Sequence, residues 1–233
     1  MTNAELTAAA RRILLENNFA PEFSPAVIQS LAAPPIGEAN GARDLRMLLW
    51  SSIDNKSSLD LDQIEYASRL PNGDIKLLVG IADVDALAPK DSAIDKFAYK
   101  NTISIYAAHR VFPMLPEELS TDLTSLREGV DRFAVVVEMI VRADGEVQTS
   151  DVYRALIRNH AKLNYEETGA WLDQNAAPPE KIEAIAGLHE QILLQQETAK
   201  RLYELRRKHG ALEFETIESS PVDRRSPGPT QRS

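Results

Sequence analysis

The stretch from Ser51 to Glu65, SSIDNKSSLDLDQIE, places Asp54, Asp60, Asp62 and Glu65 within fifteen residues whose only basic side chain is Lys56. Carboxylates crowded in this way repel one another and raise one another's pKa, so a divalent cation is a natural partner for them. Asp60 and Asp62 share a face if the segment is extended, and Asp54 can return to the same place across the bend NKSSL. The chemistry open to such a set is that of a hard cation on a phosphate. Two other readings compete with it. Asp and Asn are common turn and cap residues, so a solvated loop explains the same composition. A twelve-residue calcium loop from Asp54 to Glu65 has suitable first and last residues. It fails inside, because Lys56 stands at the third place, where a ligand is required, and Leu59 at the sixth, where glycine permits the turn. By spacing alone the solvated loop ranks first and the metal site second.

The elements that position these residues belong to a globular α-and-β chain. With 233 residues, 43% hydrophobic and 26% charged, the sequence can bury one substantial core. It contains no cysteine, which excludes disulfides, thiolate metal sites and thiol nucleophiles. The opening MTNAELTAAARRILLENN is amphipathic and partly acidic and does not read as a signal peptide. No apolar run reaches the length needed to cross a bilayer; a cytoplasmic location and no membrane partner are expected. A formal charge of -9 weakens nucleic-acid binding by bulk electrostatics while leaving local basic patches open to it.

Along the chain, residues 4–17 suit a helix, and SPAVIQSLAA suits a second with Ser24 as N-cap and Pro25 in its first turn. APPIGEANGA (33–42) reads as a linker. RMLLWSSID, IEYASRL and IKLLVGIADV read as strands, the last two joined by a tight turn at PNGD. Residues 92–106 look helical, FPMLPEEL is a proline-fixed loop, and RFAVVVEMIV enters a hairpin at RADGEVQ. Helices return near residue 165, and a long one over about 180–209 stops at Gly210. The basic residues Lys200, Arg201, Arg206, Arg207 and Lys208 near its end read first as a solvated face. His109 and His160 have no acidic or serine partner at a diagnostic spacing. The Ser-, Pro- and Arg-rich end, residues 218–233, reads as a disordered tail.

The blocks DLRMLLWSSIDNKSSLDLDQIEYA, LLVGIADVDALAPKDSAIDKFAYKNTISIY and VFPMLPEELSTDLTSLREGVDRFAVVVEM, in that order, strongly resemble the RNB catalytic domain of the ribonuclease II and ribonuclease R family. The resemblance runs from about Asp44 to about Glu215 and implies three parts. These are an N-terminal helical segment with a linker (1–43), a partial RNB-type domain (44–217) built from a mixed sheet packed with helices, and the tail (218–233).

The family's enzymes are magnesium-dependent exoribonucleases that degrade single-stranded RNA from its 3′ end to nucleoside 5′-monophosphates. The family's acidic motif places its first three carboxylates on Asp54, Asp60 and Asp62, the implied catalytic and metal-holding residues. Its fourth aspartate position is occupied here by Gln63, which retains a neutral oxygen for Mg²⁺ or Mn²⁺. Tyr106 falls where the family stacks an RNA base, and Tyr165 where it has an active-site tyrosine beside the terminal nucleotide. Taken by themselves, both tyrosines would be read as half-buried core aromatics. The family's domain continues beyond the equivalent of HGALEFETIE, so the expectation is a partial domain: a truncated or frameshifted product, or one part of a split protein that a separate chain completes. A noncatalytic RNA-binding or structural remnant is the alternative.

Overall fold

The computed structural model describes residues 2–31, 41–107 and 110–212. Most of the expected linker, the expected tail and His109 lie outside the described residues.

Helix α1 (Asn3–Glu16) starts at a reciprocal cap: Thr2 Oγ1 accepts the Glu5 N–H, and the Glu5 carboxylate accepts the Thr2 N–H at 2.7 Å. Helix α2 (Pro25–Ser30) has Ser24 as its N-cap and Pro25 in its first turn. Both precede β1 (Arg43–Asp44) in the chain. Phe23 and Val27 enter a cluster with Ile94 and Phe97 of α3 (Ala93–Asn101) and Leu119, the Phe23 and Phe97 rings lying 4.6 Å apart. The buried Asn101 amide fastens this packing by accepting from Ala20 N–H and donating to Ala20 O, each at 2.9 Å.

The main sheet is a closed ring. Strands β2 (Trp50–Asp54), β3 (Gln63–Arg69), β4 (Ile75–Ala82), β7 (Asp131–Val141) and β8 (Val147–Asn164) each pair with the next. Closure comes from β8, whose 18 residues serve two partners. Residues up to Arg158 pair antiparallel with β7, and Asn159 to Asn164 pair parallel with β2. The strand β1 pairs in parallel with β8 at Ala155 and Leu156.

Alternation with period two sends Trp50, Ile64, Leu78, Ala134, Val136, Ala155 and Ile157 into one cluster. Gly80 lies there because nothing larger fits: a Cβ would meet Ile157 Cδ1 at 2.9 Å and Trp50 Cζ3 at 3.5 Å. The opposite face, with Ala67, Ile75 and Leu77, is covered by Leu194 and Leu202 of α6 (Leu188–Lys208). Gln191 of that helix bonds both the N–H and the carbonyl of Ala67, tying helix to strand.

Four sequence expectations change. The helix expected over 92–106 ends at Asn101, where Thr102 takes a left-handed φ of 60°, and the chain continues as β5 (Ile105–Ala107) paired with β6 (Arg110–Phe112). The long helix expected over 180–209 is two, α5 (Glu180–Ala184) and α6, separated by Gly187 at φ 82°. RMLLWSSID is strand only from Trp50, because Leu45–Leu48 forms a turn. Residues 151–164, given no element from sequence, are strand, with Ala155, Ile157, Asn159, Ala161 and Leu163 buried in strict alternation. The PNGD turn and the stop at Gly210 are as read, with Gly73 and Gly210 both at positive φ.

Candidate active site

Asp54 ends β2, in parallel register with Asn164, the last residue of β8. After it the chain leaves the sheet and returns at Gln63 as β3. Distant residues hold this excursion by its main chain. Ser125 Oγ accepts the Leu61 N–H at 3.1 Å and donates to Leu59 O at 2.7 Å. Leu126 N–H donates to Leu61 O, and Ala82 N–H to Asp62 O, each at 2.9 Å. The Lys162 ammonium donates to Ser58 O and Lys56 O, and Leu61 is buried. With the backbone fixed, the Asp60 and Asp62 side chains are exposed on the loop.

Those carboxylates share one electrostatic field. Burial pushes the Asp62 carboxyl above its ordinary range, and the charges of Asp60 and Asp54 push it further. Burial likewise raises Glu65. Asp54 Oδ1 is turned to its own loop, accepting from Asn55 N–H at 2.6 Å and Ser58 Oγ at 2.9 Å. Among the described residues no three Asp, Glu or His side chains converge as a ready-made ligand set. Asp54, Asp60 and Asp62 are thus brought into one field and onto one pinned loop, but not into one coordination sphere. Gln63, exposed at the start of β3, borders the same region.

Tyr165 is the first residue of α4 (Tyr165–Leu172), directly after Asn164, whose side chain caps that helix by accepting the Glu167 N–H at 2.8 Å. This places it one residue along β8 from the partner of Asp54. Its ring is 54% exposed and borders a cavity of about 310 Å³ lined also by Ser51, Gln63, Glu65, Thr168 and Gln195. The Thr168 hydroxyl is buried there without a hydrogen-bond partner among the described residues. Tyr106 lies apart, on the β5–β6 ribbon, 75% exposed. Neither tyrosine is a core aromatic. His160 is structural, with Nε2 2.9 Å from Arg46 O. Sequence reasoning missed Ser125, Lys162 and Thr168, whose parts depend on contacts across the fold.

Over residues 42–230 the sequence matches the RNB domain. The chain belongs to the RNB family. Among the relatives of this RNB chain, Ribonuclease R of Vibrio parahaemolyticus is 35% identical over 179 residues, covering 77% of this chain and 21% of the relative. Exoribonuclease 2 of Cronobacter sakazakii is 38% identical over 168 residues, covering 71% of this chain and 26% of the relative. The chain thus spans about a quarter of the length of the curated relatives it matches. Mycoplasma genitalium RNase R, solved in complex with ribose methylated single-stranded RNA, aligns with a TM-score of 0.77 at 28% identity, covering 90% of this chain and 33% of that one. The RNB chain is therefore a member of an exoribonuclease family, with the mixed α-and-β fold its solved relatives share. No described helix is long and apolar enough to cross a membrane.

Proposed function

We propose that this chain supplies the metal-holding part of a magnesium-dependent 3′-to-5′ exoribonuclease that hydrolyses single-stranded RNA to nucleoside 5′-monophosphates in the cytoplasm, Mn²⁺ being an acceptable substitute. The observation that carries this reading is the pinned acidic loop, on which the charges of Asp60 and Asp54 add to burial in raising Asp62, and no ion pair among the described residues neutralises it. Hard oxygen donors in such a field suit Mg²⁺, which prefers oxygen ligands and keeps several waters. Asp54, Asp60 and Asp62 would hold it, with the neutral amide oxygen of Gln63 as a further donor. When bound, the cation lowers the pKa of water and neutralises charge on the phosphate oxygens. The loop's main-chain bonds keep the three carboxylates in place while they bind. Tyr165, exposed at the head of α4, lies against the terminal nucleotide, and Tyr106 stacks a base further along the strand, a contact tolerant of base identity. The RNA-bound Mycoplasma genitalium relative supports the substrate class.

The chain corresponds to about a quarter of its relatives' length, and the reading includes a partner polypeptide carrying the further RNB residues of those relatives. Removing single charge-stabilising groups commonly costs orders of magnitude in rate. The chain alone should give no more than trace hydrolysis of 5′-labelled single-stranded RNA with Mg²⁺. Adding the completing polypeptide should restore stepwise shortening from the 3′ end. Gln63, at the family's fourth aspartate position, favours a second reading, a noncatalytic RNA-binding remnant. A folded reconstituted domain that binds RNA without cutting it would select that reading, and Gln63→Asp would test whether this position is the cause.

A further inference from the structure

Helix α3 separates its residues by face. Ile94 and Asn101 are buried and Phe97 packs on Phe23, forming an inward stripe at helical spacing. The outward face presents Lys96, Tyr99 and Lys100, all exposed, with Tyr99 at 84%. Neither lysine forms an ion pair among the described residues, and the Tyr99 ring has no hydrogen bond or ring contact there. Asp95, the carboxylate within this helix, does not neutralise the lysines, because it turns back to accept the Asp91 N–H at 2.8 Å. Past the left-handed Thr102, Ile103 is again exposed, and Tyr106 follows on β5 beside its cross-strand neighbour Val111, exposed as well. Seven residues of chain keep the two tyrosines within about 25 Å of each other. Exposed apolar and aromatic side chains grouped together and rimmed by polar residues mark interaction surfaces, and Tyr99, Ile103, Tyr106 and Val111 are such a group in the chain. Rings interleaved with ammonium groups that form no ion pair among the described residues are a local basic patch within a chain of net charge -9, and such a patch fits a single-stranded polyanion with flat bases better than an apolar protein face.

The geometry points to Tyr99 as a second base-stacking residue, with Lys96 and Lys100 on the adjacent phosphates, extending the single-stranded RNA path from Tyr106 onto α3. This rests on the reading of Tyr106 as an RNA contact. The test uses the full chain and a 5′-fluorescein oligouridylate, with affinity read by anisotropy across a salt series. Tyr99→Ala should weaken binding about 5- to 150-fold, and Tyr99→Phe should bind as the unaltered chain does, since stacking needs the ring and not the hydroxyl. Lys96→Gln with Lys100→Gln should flatten the slope of log affinity against log salt by about 0.7 per lysine. Equal affinity in Tyr99→Ala, while Tyr106→Ala binds more weakly, would overturn the inference and leave the RNA reading standing. A shift from dimer to monomer in Tyr99→Ala with RNA affinity unchanged would assign this face to a second copy of the chain and equally overturn it. No RNA binding by the unaltered chain would overturn both readings together.

Discussion

The carboxylates of this protein sit in two opposite kinds of surroundings. Around β1, β7 and β8 they are matched to cations. Asp131 accepts from Arg158 Nε at 2.6 Å and from Arg46 Nη1 at 3.1 Å, and Asp44 accepts from Arg46 Nη2 at 2.6 Å. The bonds from Arg46 hold the Asp44 carboxyl down at about 2, and Arg158, then Arg46, hold Asp131 below its ordinary value. Burial alone would raise Glu138, but Lys76 and the Tyr153 hydroxyl, each at 2.8 Å, outweigh it and leave it lowered. In the loop from Asp54 to Glu65 the direction reverses, and Asp62 and Glu65 are raised. Charges that build the fold are paired inside the fold. Charges that disfavour the folded state lie on and beside the acidic loop, without an ion pair among the described residues.

If the strand ring is scaffold and the acidic loop is site, substitutions should divide between stability and ligand binding. The largest stability loss belongs to the ring. Trp50 is fully buried and its Nε1 donates to Leu45 O at 2.9 Å. Trp50→Ala should cost about 3–5 kcal/mol in urea denaturation. A loss below about 1 kcal/mol would mean that this cluster is not the core.

Ser125 joins the two regions, since its hydroxyl holds both Leu59 O and Leu61 N–H. Ser125→Ala removes both bonds at a buried side chain and should cost about 1–3 kcal/mol. It should also weaken Mg²⁺ binding, read by calorimetry, although Ser125 is no ligand. Unchanged metal affinity with lowered stability would show that the carboxylates do not depend on this pin.

What could be read from the sequence follows the same division. The PNGD turn, the Ser24 cap and the stop at Gly210 were legible because their signals are local. The alternation from Ala155 to Leu163 is also local, yet no strand was assigned there. Closure of the ring was not legible, because it depends on β8 changing partner from β7 to β2 near Arg158. Nor were the loop's pins, since Ser125 and Lys162 stand 64 and 104 residues along the chain from the loop residues they hold. The break at Gly187 was hidden because apolar residues keep near-helical spacing on both sides of it. Tyr99 was overlooked because a tyrosine in an amphipathic helix carries no sign of which face it takes until the inward stripe of Ile94, Phe97 and Asn101 is known.

Acid should affect the two regions with opposite signs. Asp44 and Asp131 have folded values below the ordinary 3.8, so their contribution is fully present above that value and is lost as pH falls through the folded values, about 2 for Asp44. Arg46→Met removes a partner from each. It should lower stability at neutral pH slightly, because the pairs are exposed, and shrink the loss between about pH 4 and pH 2 by the same small amount. An acid limb as steep as that of the unaltered chain would place the acid sensitivity elsewhere.

The smallest expected change in stability, and the sharpest division between the regions, is at Asp62. Its raised folded value means that the cost of its charge is present at neutral pH and is relieved as pH falls through that value, the reverse of Asp44. Asp62→Asn removes the charge at every pH and keeps the main-chain carbonyl that accepts the Ala82 N–H. Stability at neutral pH should therefore stay within about 0.5 kcal/mol of the unaltered chain, with any shift toward greater stability. Calorimetry with Mg²⁺, and with Mn²⁺ as a second probe, should show weak binding to the unaltered chain and none to the variant. Equal binding by the variant would remove Asp62 from the site. A destabilisation above about 1 kcal/mol would instead make its carboxylate part of the scaffold, and the opposition between paired and unpaired carboxylates would no longer separate what holds this protein together from what it holds.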